Sequence, residues 1–425
     1  SRRDAYLVFF SIPPPHLLSM SLARPIVTQW LATVFVAGFS MLMTFFLARL
    51  FGPEIFGQYS YIITLASLFA ILQDGGFRTL LFREFTSPSL SIKTDQLFPV
   101  ALGHLLVITG TGIFIVLVFP FADKVSLLLA IAAFGLGTAT NFISSVLKGK
   151  GDFNREAWWR VTVRSLSGVG ILGFIFLVSL QLEWIFAGWI FGFLVSLIFQ
   201  RAYPLKKVLF VKPNPKIYRS LAALLTIDVA TLIYFKIDIV MLRHIEGTLH
   251  QVGFYAAASR ILEGVMFILF PFANVFFREL RLHANDPNKF LQLTNKLVFY
   301  AGILTLFIVP LGMFFKDDII LLCFGSSYQQ GAGLLYWLFI SLFFMIPNLV
   351  LTQGALAINR ENYYALGACG AALLNIILNF FLIPVYGAKG AAFGTIATEA
   401  FLLAFMGYGI YAWSWKRRPS AGESQ

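Results

Sequence analysis

The chain is poor in charged residues and in cysteine. Only 12% of its 425 residues are charged, whereas soluble globular domains carry about 25%. No single water-soluble core could bury the apolar side chains of a sequence with 58% hydrophobic residues and a mean hydropathy of +0.80. A protein that crosses a membrane several times is therefore indicated. With only Cys323 and Cys369 present, a disulfide framework is disfavoured, and we expect both to be free apolar residues.

The sequence also lacks the motifs of several enzyme classes. It has no Walker-type glycine loop, so ATP hydrolysis by this chain is not expected. It has no cluster of His, Cys and carboxylate residues at metal-ligand spacing. We therefore expect a protein that is not an enzyme, with no catalytic residue, no metal and no cofactor. The net charge of +12 fits membrane topology and anionic headgroups, and we expect no nucleic-acid partner.

Twelve stretches are long and apolar enough to be membrane-spanning helices. In the first half they lie near 26–51, 56–82, 97–119, 123–147, 161–180 and 183–203. In the second half they lie near 217–242, 252–277, 293–315, 331–357, 363–383 and 388–415. The sequence predicts an all-α polytopic membrane protein with about 12 transmembrane helices in two six-helix lobes.

Most of the 32 Lys and Arg residues lie at the termini and in loops that follow even-numbered spans. Cytoplasmic loops retain positive charge, so we expect both termini in the cytoplasm and the chain in the plasma (inner) membrane. The predicted regions are a cytoplasmic extension at 1–21, an N-lobe at 22–203, a basic cytoplasmic linker at 204–216, a C-lobe at 217–415 and a cytoplasmic tail at 416–425. Because three prolines precede Met20 and no span does, we expect translation to start at Met20.

The two halves carry matching motifs in equivalent loops. Gly57-Gln58-Tyr59 after span one corresponds to Gly253-Phe254-Tyr255 after span seven. Asn154-Arg155-Glu156 after span four corresponds to Asn359-Arg360-Glu361 after span ten. With six spans each, the halves have the same orientation, which is the parallel repeat of many transporters, with the substrate site at the repeat interface.

Four spans carry polar side chains through otherwise apolar sequence. Those of spans one and two are Gln29, Thr33, Ser40, Thr44, Ser60, Ser67, Asp74 and Arg78; those of spans seven and eight are Asp228, Lys236, Asp238, Arg260, Glu263 and Asn274. Polar residues at membrane depth face protein or water rather than lipid. Because these spans are equivalent pairs in the two halves, we predict a wet cleft lined by all four.

Some of these charges can pair within one helix. Asp74 and Arg78 are at i, i+4, and Arg260 and Glu263 are at i, i+3, which are the spacings of neighbours on a helix surface. Both a self-neutralised structural pair and a functional site are compatible with these spacings.

Other ionisable groups have no evident local partner. Lys236 and Asp238 are two residues apart and face opposite sides of their helix, near its outer end where long side chains can snorkel. Asp228 lies deeper and could partner either of them or bind a cation. For Glu399 and His104 we expect a hydrogen bond to a neighbouring helix.

Three runs carry a family resemblance: ARLFGPEIFGQY at 48–59, DGGF at 74–77 and NFFLIPVYGAKGAA at 379–392. They resemble polysaccharide-biosynthesis flippases, the Wzx-like O-antigen transporters of the multidrug/oligosaccharidyl-lipid/polysaccharide (MOP) exporter superfamily. The likeness covers most of 22–415.

The resemblance implies a MOP/MATE-like bundle that alternates between inward-open and outward-open states. Such proteins pass an undecaprenyl-pyrophosphate-linked oligosaccharide across the plasma membrane, in contact with membrane lipids and alongside polysaccharide polymerase machinery. With this cargo, we expect Arg78, Lys236 and Arg260 to contact pyrophosphate or anionic sugar. Asp74, Asp228, Asp238 and Glu263 are candidates for balancing these charges or for coupling to a Na⁺ or H⁺ gradient.

Two other classes stay open. A multidrug-type exporter of organic cations would favour an acidic, aromatic cavity, whereas the predicted cleft of this chain mixes cations with carboxylates. A membrane polysaccharide polymerase or ligase usually needs a sizeable external loop, and we expect external connections of about ten residues or fewer.

Overall fold

The computed structural model describes residues 20–87, 94–200 and 215–417. Within these ranges the regular structure is helical, and no strand is present. Ten helices are long and apolar enough to cross a membrane, and one of them continues through Val27–Thr86. The prediction of an all-α multi-pass membrane protein is confirmed. The extension before residue 20, the linker at 204–214 and the tail after residue 417 lie outside the described residues.

The helices follow the predicted spans. In the first half they are α1 (Met20–Asp74), α2 (Phe77–Thr86), α3 (Thr94–Val118), α4 (Lys124–Gly149), α5 (Phe153–Leu177) and α6 (Leu182–Phe199). In the second half they are α7 (Pro215–Ile245), α8 (Leu249–Leu282), α9 (Pro287–Phe314), α10 (Lys316–Phe324), α11 (Ala332–Ala357), α12 (Glu361–Tyr386) and α13 (Ala388–Lys416). A 3₁₀ turn at Ser326–Gly331 precedes α11. Most of the predicted spans fall on a single helix, whereas the second, at 56–82, continues from α1 into α2.

Helix α1 contains the first predicted span and most of the second, and it bends at a glycine. Gly52 has φ 73° and ψ 174°, a conformation that residues with a Cβ rarely adopt, and it divides α1 into a first arm at 20–51 and a second arm at 53–74. Gly75 and Gly76 also have positive φ and end the second arm. The helix on which Asp74 and Arg78 could pair is therefore interrupted between them. Asp74 accepts a hydrogen bond from the Gly76 N–H at 3.1 Å.

Helix α5 begins at Phe153, well before the predicted span at 161–180. Arg160 and Arg164 lie roughly 10 and 16 Å along this helix rather than in a loop before it. The length of the apolar run failed to locate the helix start because Glu156, Arg160 and Arg164 have partners on α1 and α4.

The chain divides into two compact units. Unit one contains the described parts of Ser1–Leu42, Phe77–Val107 and Gly135–Lys212, and unit two contains those of Met43–Gly76, Ile108–Phe134 and Pro213–Gln425. These units differ from the lobes predicted from the repeat, because the second arm of α1 packs with the second half of the sequence. The division into lobes at 203 and 217 stays a prediction.

In unit one, glycines let α5 and α6 touch backbone to backbone. A methyl group at Gly170 would lie 2.2 Å from the Gly188 carbonyl oxygen, and one at Gly192 would lie 2.4 Å from the Ser167 Cα. Gly188 and Gly192 are four residues apart and share a face of α6, the small-residue spacing that brings membrane helices close together. Larger residues at these positions would push the two helices apart.

In unit two, α1 and α8 cross at glycines from the two sequence repeats. A methyl group at Gly57 would lie 2.1 Å from the Leu249 carbonyl oxygen, and one at Gly253 would lie 1.9 Å from the Pro53 carbonyl oxygen. The repeated Gly-X-Tyr motif therefore has a packing role, since both copies meet at one crossing.

An aromatic cluster surrounds this crossing. The Tyr328 ring lies 6.1 Å from the Phe56 ring and 6.2 Å from the Phe254 ring, measured between centroids, and its hydroxyl donates to the Ala48 carbonyl at 2.9 Å. Tyr328 belongs to the connection at 315–331, which is longer than the ten residues expected because it folds into α10 and the 3₁₀ turn. This connection packs against α1 as part of the helix bundle.

We predict that Gly192→Val destabilises the protein by about 1–3 kcal/mol, because the larger side chain cannot fit against the α5 backbone. Thermal unfolding of the purified chain in detergent measures the change. The matched control is Gly173→Val on α5, where no other atom lies within 4 Å of an added methyl group. Equal melting temperatures for the two variants would contradict the assigned contact.

Candidate functional site

Unit two holds a cluster of two cations and one carboxylate on α7 and α8. Glu263 accepts a hydrogen bond from Arg260 at 2.6 Å and also pairs with Lys236. The Tyr59 side chain, from the second arm of α1, is close enough to Arg260 to interact with it electrostatically. The predicted pairing of Arg260 with Glu263 is confirmed. Because positive groups outnumber the carboxylate, the cluster has a net charge that favours an anion.

The placement of these charges follows from helix geometry. Arg260 and Glu263 are three residues apart, so their side chains share one face of α8, and Lys236 reaches Glu263 from α7. A charge at the centre of a bilayer costs about 2.5–3.5 kcal/mol on insertion scales, and pairing offsets part of that cost. The side chains are half-buried, with exposed fractions of 19% for Lys236, 30% for Arg260 and 43% for Glu263. A ligand could therefore reach them.

Asp238 lies in a different environment, although it is two residues from Lys236. Its carboxylate accepts hydrogen bonds from Tyr255 at 2.5 Å, Asn379 at 2.6 Å and Thr395 at 3.1 Å. These donors come from α8, α12 and α13, and only 5% of Asp238 is exposed. Lys236 and Asp238 do face different partners, as predicted, and the Asp238 side chain does not snorkel, because side chains of three helices enclose its carboxylate.

The Asp238 group is rich in oxygen and carries no positive charge. The Asn375 side-chain oxygen accepts from Asn379 at 2.9 Å, which places it beside the carboxylate. Carboxylate, amide and hydroxyl oxygens are ligands for hard cations. Among the described residues there is no group of three or more His, Cys, Asp or Glu side chains that could hold a metal ion. A monovalent cation or a proton suits this arrangement better than a divalent metal.

Unit one contains a buried carboxylate with cationic partners. Glu156 on α5 has no exposed surface and pairs with Arg160 at 2.9 Å and Lys148 at 3.3 Å. It also accepts hydrogen bonds from Ser144 at 2.5 Å and Gln29 at 2.6 Å. The Glu156 of the repeated Asn-Arg-Glu motif is therefore an internal anchor between α1, α4 and α5.

The predicted polar face of span one meets α5. Arg160 donates to Gln29 at 2.9 Å and to Thr33 at 3.0 Å, and Arg164 donates to Ser40 at 2.6 Å. The sequence analysis missed the two arginines as partners of this face. Their spacing from Glu156 was the available signal, since i, i+4 and i+8 place all three side chains along one side of a helix.

Three further residues that were predicted to line the cleft lie on α1. Ser67 donates to the Thr64 carbonyl of its own turn at 2.8 Å, Ser60 is buried, and Thr44 is half-buried. Arg78 is exposed on α2, and the helix that was expected to carry both Asp74 and Arg78 is interrupted between them. The side chains of Asp228 on α7 and Asn274 on α8 lie outside the part of the structure that is described.

A cavity of about 340 Å³ opens in unit two, at the end predicted to face outside. Its polar lining includes Tyr61, Asp123, Arg243 and His244. The Tyr61 hydroxyl lies 3.5 Å from His244 Nε2, and Asp123 accepts from Gln58 at 2.5 Å. With one carboxylate and one guanidinium on its wall, this cavity lacks the positive surplus of the Lys236 cluster.

A family model described as a polysaccharide biosynthesis protein matches residues 22–277. The chain belongs to this family. It is 26% identical over 398 residues to a probable low-salt glycan biosynthesis flippase, Agl15, of Haloferax volcanii, covering 90% of this chain and 82% of that protein. It is 22% identical over 371 residues to a Shigella flexneri protein named as an O-antigen transporter, covering 82% of this chain and 87% of that protein.

Solved structures agree on the fold of this family member. The lipid II flippase MurJ, in an inward closed conformation, matches with a TM-score of 0.66 at 15% identity, covering 91% of this chain and 87% of that one. An inward-facing multidrug resistance MATE transporter of the MOP superfamily matches with a TM-score of 0.66 at 16% identity, covering 93% of this chain and 100% of that one. The predicted MOP/MATE-like fold is confirmed.

We predict that Glu156→Ala destabilises the protein by about 3 kcal/mol, because Arg160 would lose its partner inside the helix bundle. This loss is at the low end of the range for a buried ion pair, because Lys148, the other cation paired with Glu156, is partly exposed to solvent. Thermal unfolding checks the loss, with Glu54→Ala as the control because Glu54 is 61% exposed. If both variants unfold at the same temperature, Glu156 is not an anchor.

Proposed function

We propose that this chain is a flippase that moves a lipid-linked oligosaccharide across the plasma membrane by alternating access. Family membership and the functions for which the two relatives are named support the class of cargo. The structural observation that carries the proposal is the cluster of Lys236, Arg260 and Glu263 on two membrane helices. It offers a net positive charge to an anionic headgroup where most of the surroundings are apolar.

The chemistry of such a cargo matches the cluster. A pyrophosphate between lipid and sugar is an anion with several acceptor oxygens, and guanidinium and ammonium groups both bind phosphate. Glu263 holds Arg260 and Lys236 in place, and a bound pyrophosphate would share their charge. The lipid tail can stay among the acyl chains while the headgroup crosses. We propose an undecaprenyl pyrophosphate carrier as the lipid.

We also propose the topology expected from the sequence. The concentration of Lys and Arg in loops on one side supports cytoplasmic termini. Membrane lipids then surround the bundle, and a polysaccharide polymerase would use the cargo on the outer side. We propose the inner membrane as the location of the protein.

Coupling to an ion gradient is the second part of the proposal. Asp238 is buried with neutral donors from three helices, and the Asn375 oxygen lies next to it. A Na⁺ ion or a proton bound here would neutralise the carboxylate and change the hydrogen bonds that hold α7 to α12 and α13. Binding could therefore drive a rearrangement of these helices.

The two rival functions fit the described residues less well. An exporter of organic cations needs a surplus of carboxylates, whereas Lys236 and Arg260 outnumber Glu263. A polymerase or ligase needs an external loop that presents catalytic groups, and the long connection at 315–331 packs into the bundle through Tyr328. Glycan elongation by the purified chain would nevertheless revive the enzyme class.

We predict that Arg260→Ala lowers export of the surface polysaccharide by about tenfold or more, because a charge-assisted contact to the cargo is lost. Export is measured in cells that lack the native gene, with membrane insertion checked by immunoblot. Arg278→Ala is the matched control, since Arg278 lies on the same helix and pairs with Glu279. Normal export by Arg260→Ala would remove Arg260 from the site.

A further inference from the structure

A second buried carboxyl group lies in unit two, on α13. Glu399 is only 3% exposed, and both of its oxygens have a hydrogen-bond donor. The Tyr234 hydroxyl of α7 donates to Oε1, and the Asn348 side-chain amide of α11 lies 3.4 Å from Oε2. Both donors are themselves buried, with exposed fractions of 7% and 5%. The group is thus enclosed by three helices.

The helices packed against α13 bring no positive charge to Glu399 among the described residues. Helix α11 has no charged residue, and α12 has only Glu361, its first residue. Helix α9 meets the far end of α13, where the Phe290 and Trp413 rings are 5.1 Å apart, roughly 20 Å along the helix from Glu399. An isolated carboxylate in apolar surroundings is costly, and such groups take up a proton instead.

The nearest charged residues of α7 and α8 have other partners. Lys236 and Arg260 pair with Glu263. Asp238 is bound by Tyr255 and by the side chains of α12 and α13. Asp228 of α7 has a side chain outside the described part. The described groups that face Glu399 are therefore a phenol and an amide.

The Asn348 side chain can form a hydrogen bond with Glu399 in either protonation state of the carboxyl group. Its side-chain oxygen is buried and has no hydrogen-bond partner among the described residues. The oxygen and nitrogen of an amide are assigned from the hydrogen-bond network, so a half-turn of the amide is allowed. That half-turn brings the oxygen to Oε2, where it can accept a hydrogen bond only if Glu399 is protonated. The ionised carboxylate instead uses the amide nitrogen as donor.

We infer that Glu399, Tyr234 and Asn348 form a proton-binding site. A proton taken up from water would bind to Oε2 and be donated to the Asn348 oxygen, and its release would restore the amide donor. Tyr234 precedes Asp238 by four residues on α7, and Thr395 precedes Glu399 by four on α13. The same two helices therefore hold two carboxyl groups in successive layers, about 6 Å apart along the axes.

The two layers would influence each other. Two ionised carboxylates this close repel, so a proton on Glu399 makes it easier for Asp238 to remain charged and to bind a cation. This consequence rests on the proposed ion coupling, whereas proton binding at Glu399 does not.

Infrared difference spectroscopy of the purified full-length chain in nanodiscs tests the inference. A pH titration is expected to show the C=O stretch of a protonated carboxyl group that disappears as the pH rises. This band should be lost in Glu399→Gln and kept in Glu361→Gln, which also removes one carboxylate from the chain. An unchanged band in Glu399→Gln, or no titrating band in the wild type, would overturn the inference.

The pH titration of the Tyr234→Phe variant gives a second readout. A purely structural role of Tyr234 would leave this titration unchanged. Removing the hydroxyl takes away a hydrogen-bond donor that stabilises the ionised Glu399 carboxylate. The band of the protonated carboxyl group should therefore persist to higher pH than in the wild type. An identical titration would contradict the site even if Glu399→Gln fails to fold. No cargo is present in these measurements, so their outcome is independent of whether Arg260→Ala abolishes export.

Discussion

Every polar group that enters the hydrocarbon region of a bilayer must find its partner within the protein. Two buried carboxylates meet this requirement through side chains that come largely from neighbouring helices. Glu156 in unit one is bound from three helices, and Asp238 in unit two from three others. These contacts also fix which helices lie side by side, because a charge without its partner would be expensive. The placement of the candidate site follows from that constraint.

The carboxyl groups fall into two classes that differ in their partners. Glu156 and Glu263 each pair with two cations, so each centre has positive charge in excess. Asp238 and Glu399 are held by hydroxyl and amide groups alone among the described residues. The first class suits an anionic cargo or a structural anchor, and the second suits a cation or a proton. Glu263 and Asp238 belong to the same unit, so cargo and coupling ion would act on the same set of helices.

Much of this arrangement could be predicted from local sequence. The length of the apolar runs predicted the spans. The spacing of Arg260 and Glu263 indicated that they could pair, and the two-residue separation of Lys236 and Asp238 predicted that their side chains point in different directions. The repeated Gly-X-Tyr motifs could be recognised, although the sequence did not reveal that they meet at one helix crossing.

The rest depends on contacts between residues far apart in the chain. The donors to Asp238 include Asn379 and Thr395, which are 141 and 157 residues away. No helical period relates them, so the burial of Asp238 could not be foreseen. The spacing argument for Asp74 and Arg78 did not apply for a different reason, because Gly75 and Gly76 adopt positive φ and interrupt the helix on which it relied.

Transfer of a lipid-linked oligosaccharide between leaflets is the most direct test of the central claim. The purified chain is reconstituted in liposomes with the labelled lipid, and the label in the outer leaflet is followed with an impermeant reagent. We expect protein-dependent transfer of the glycan lipid in an unelongated form, and none of an organic cation. Transfer no faster than in protein-free liposomes, or movement of the cation alone, would contradict the account.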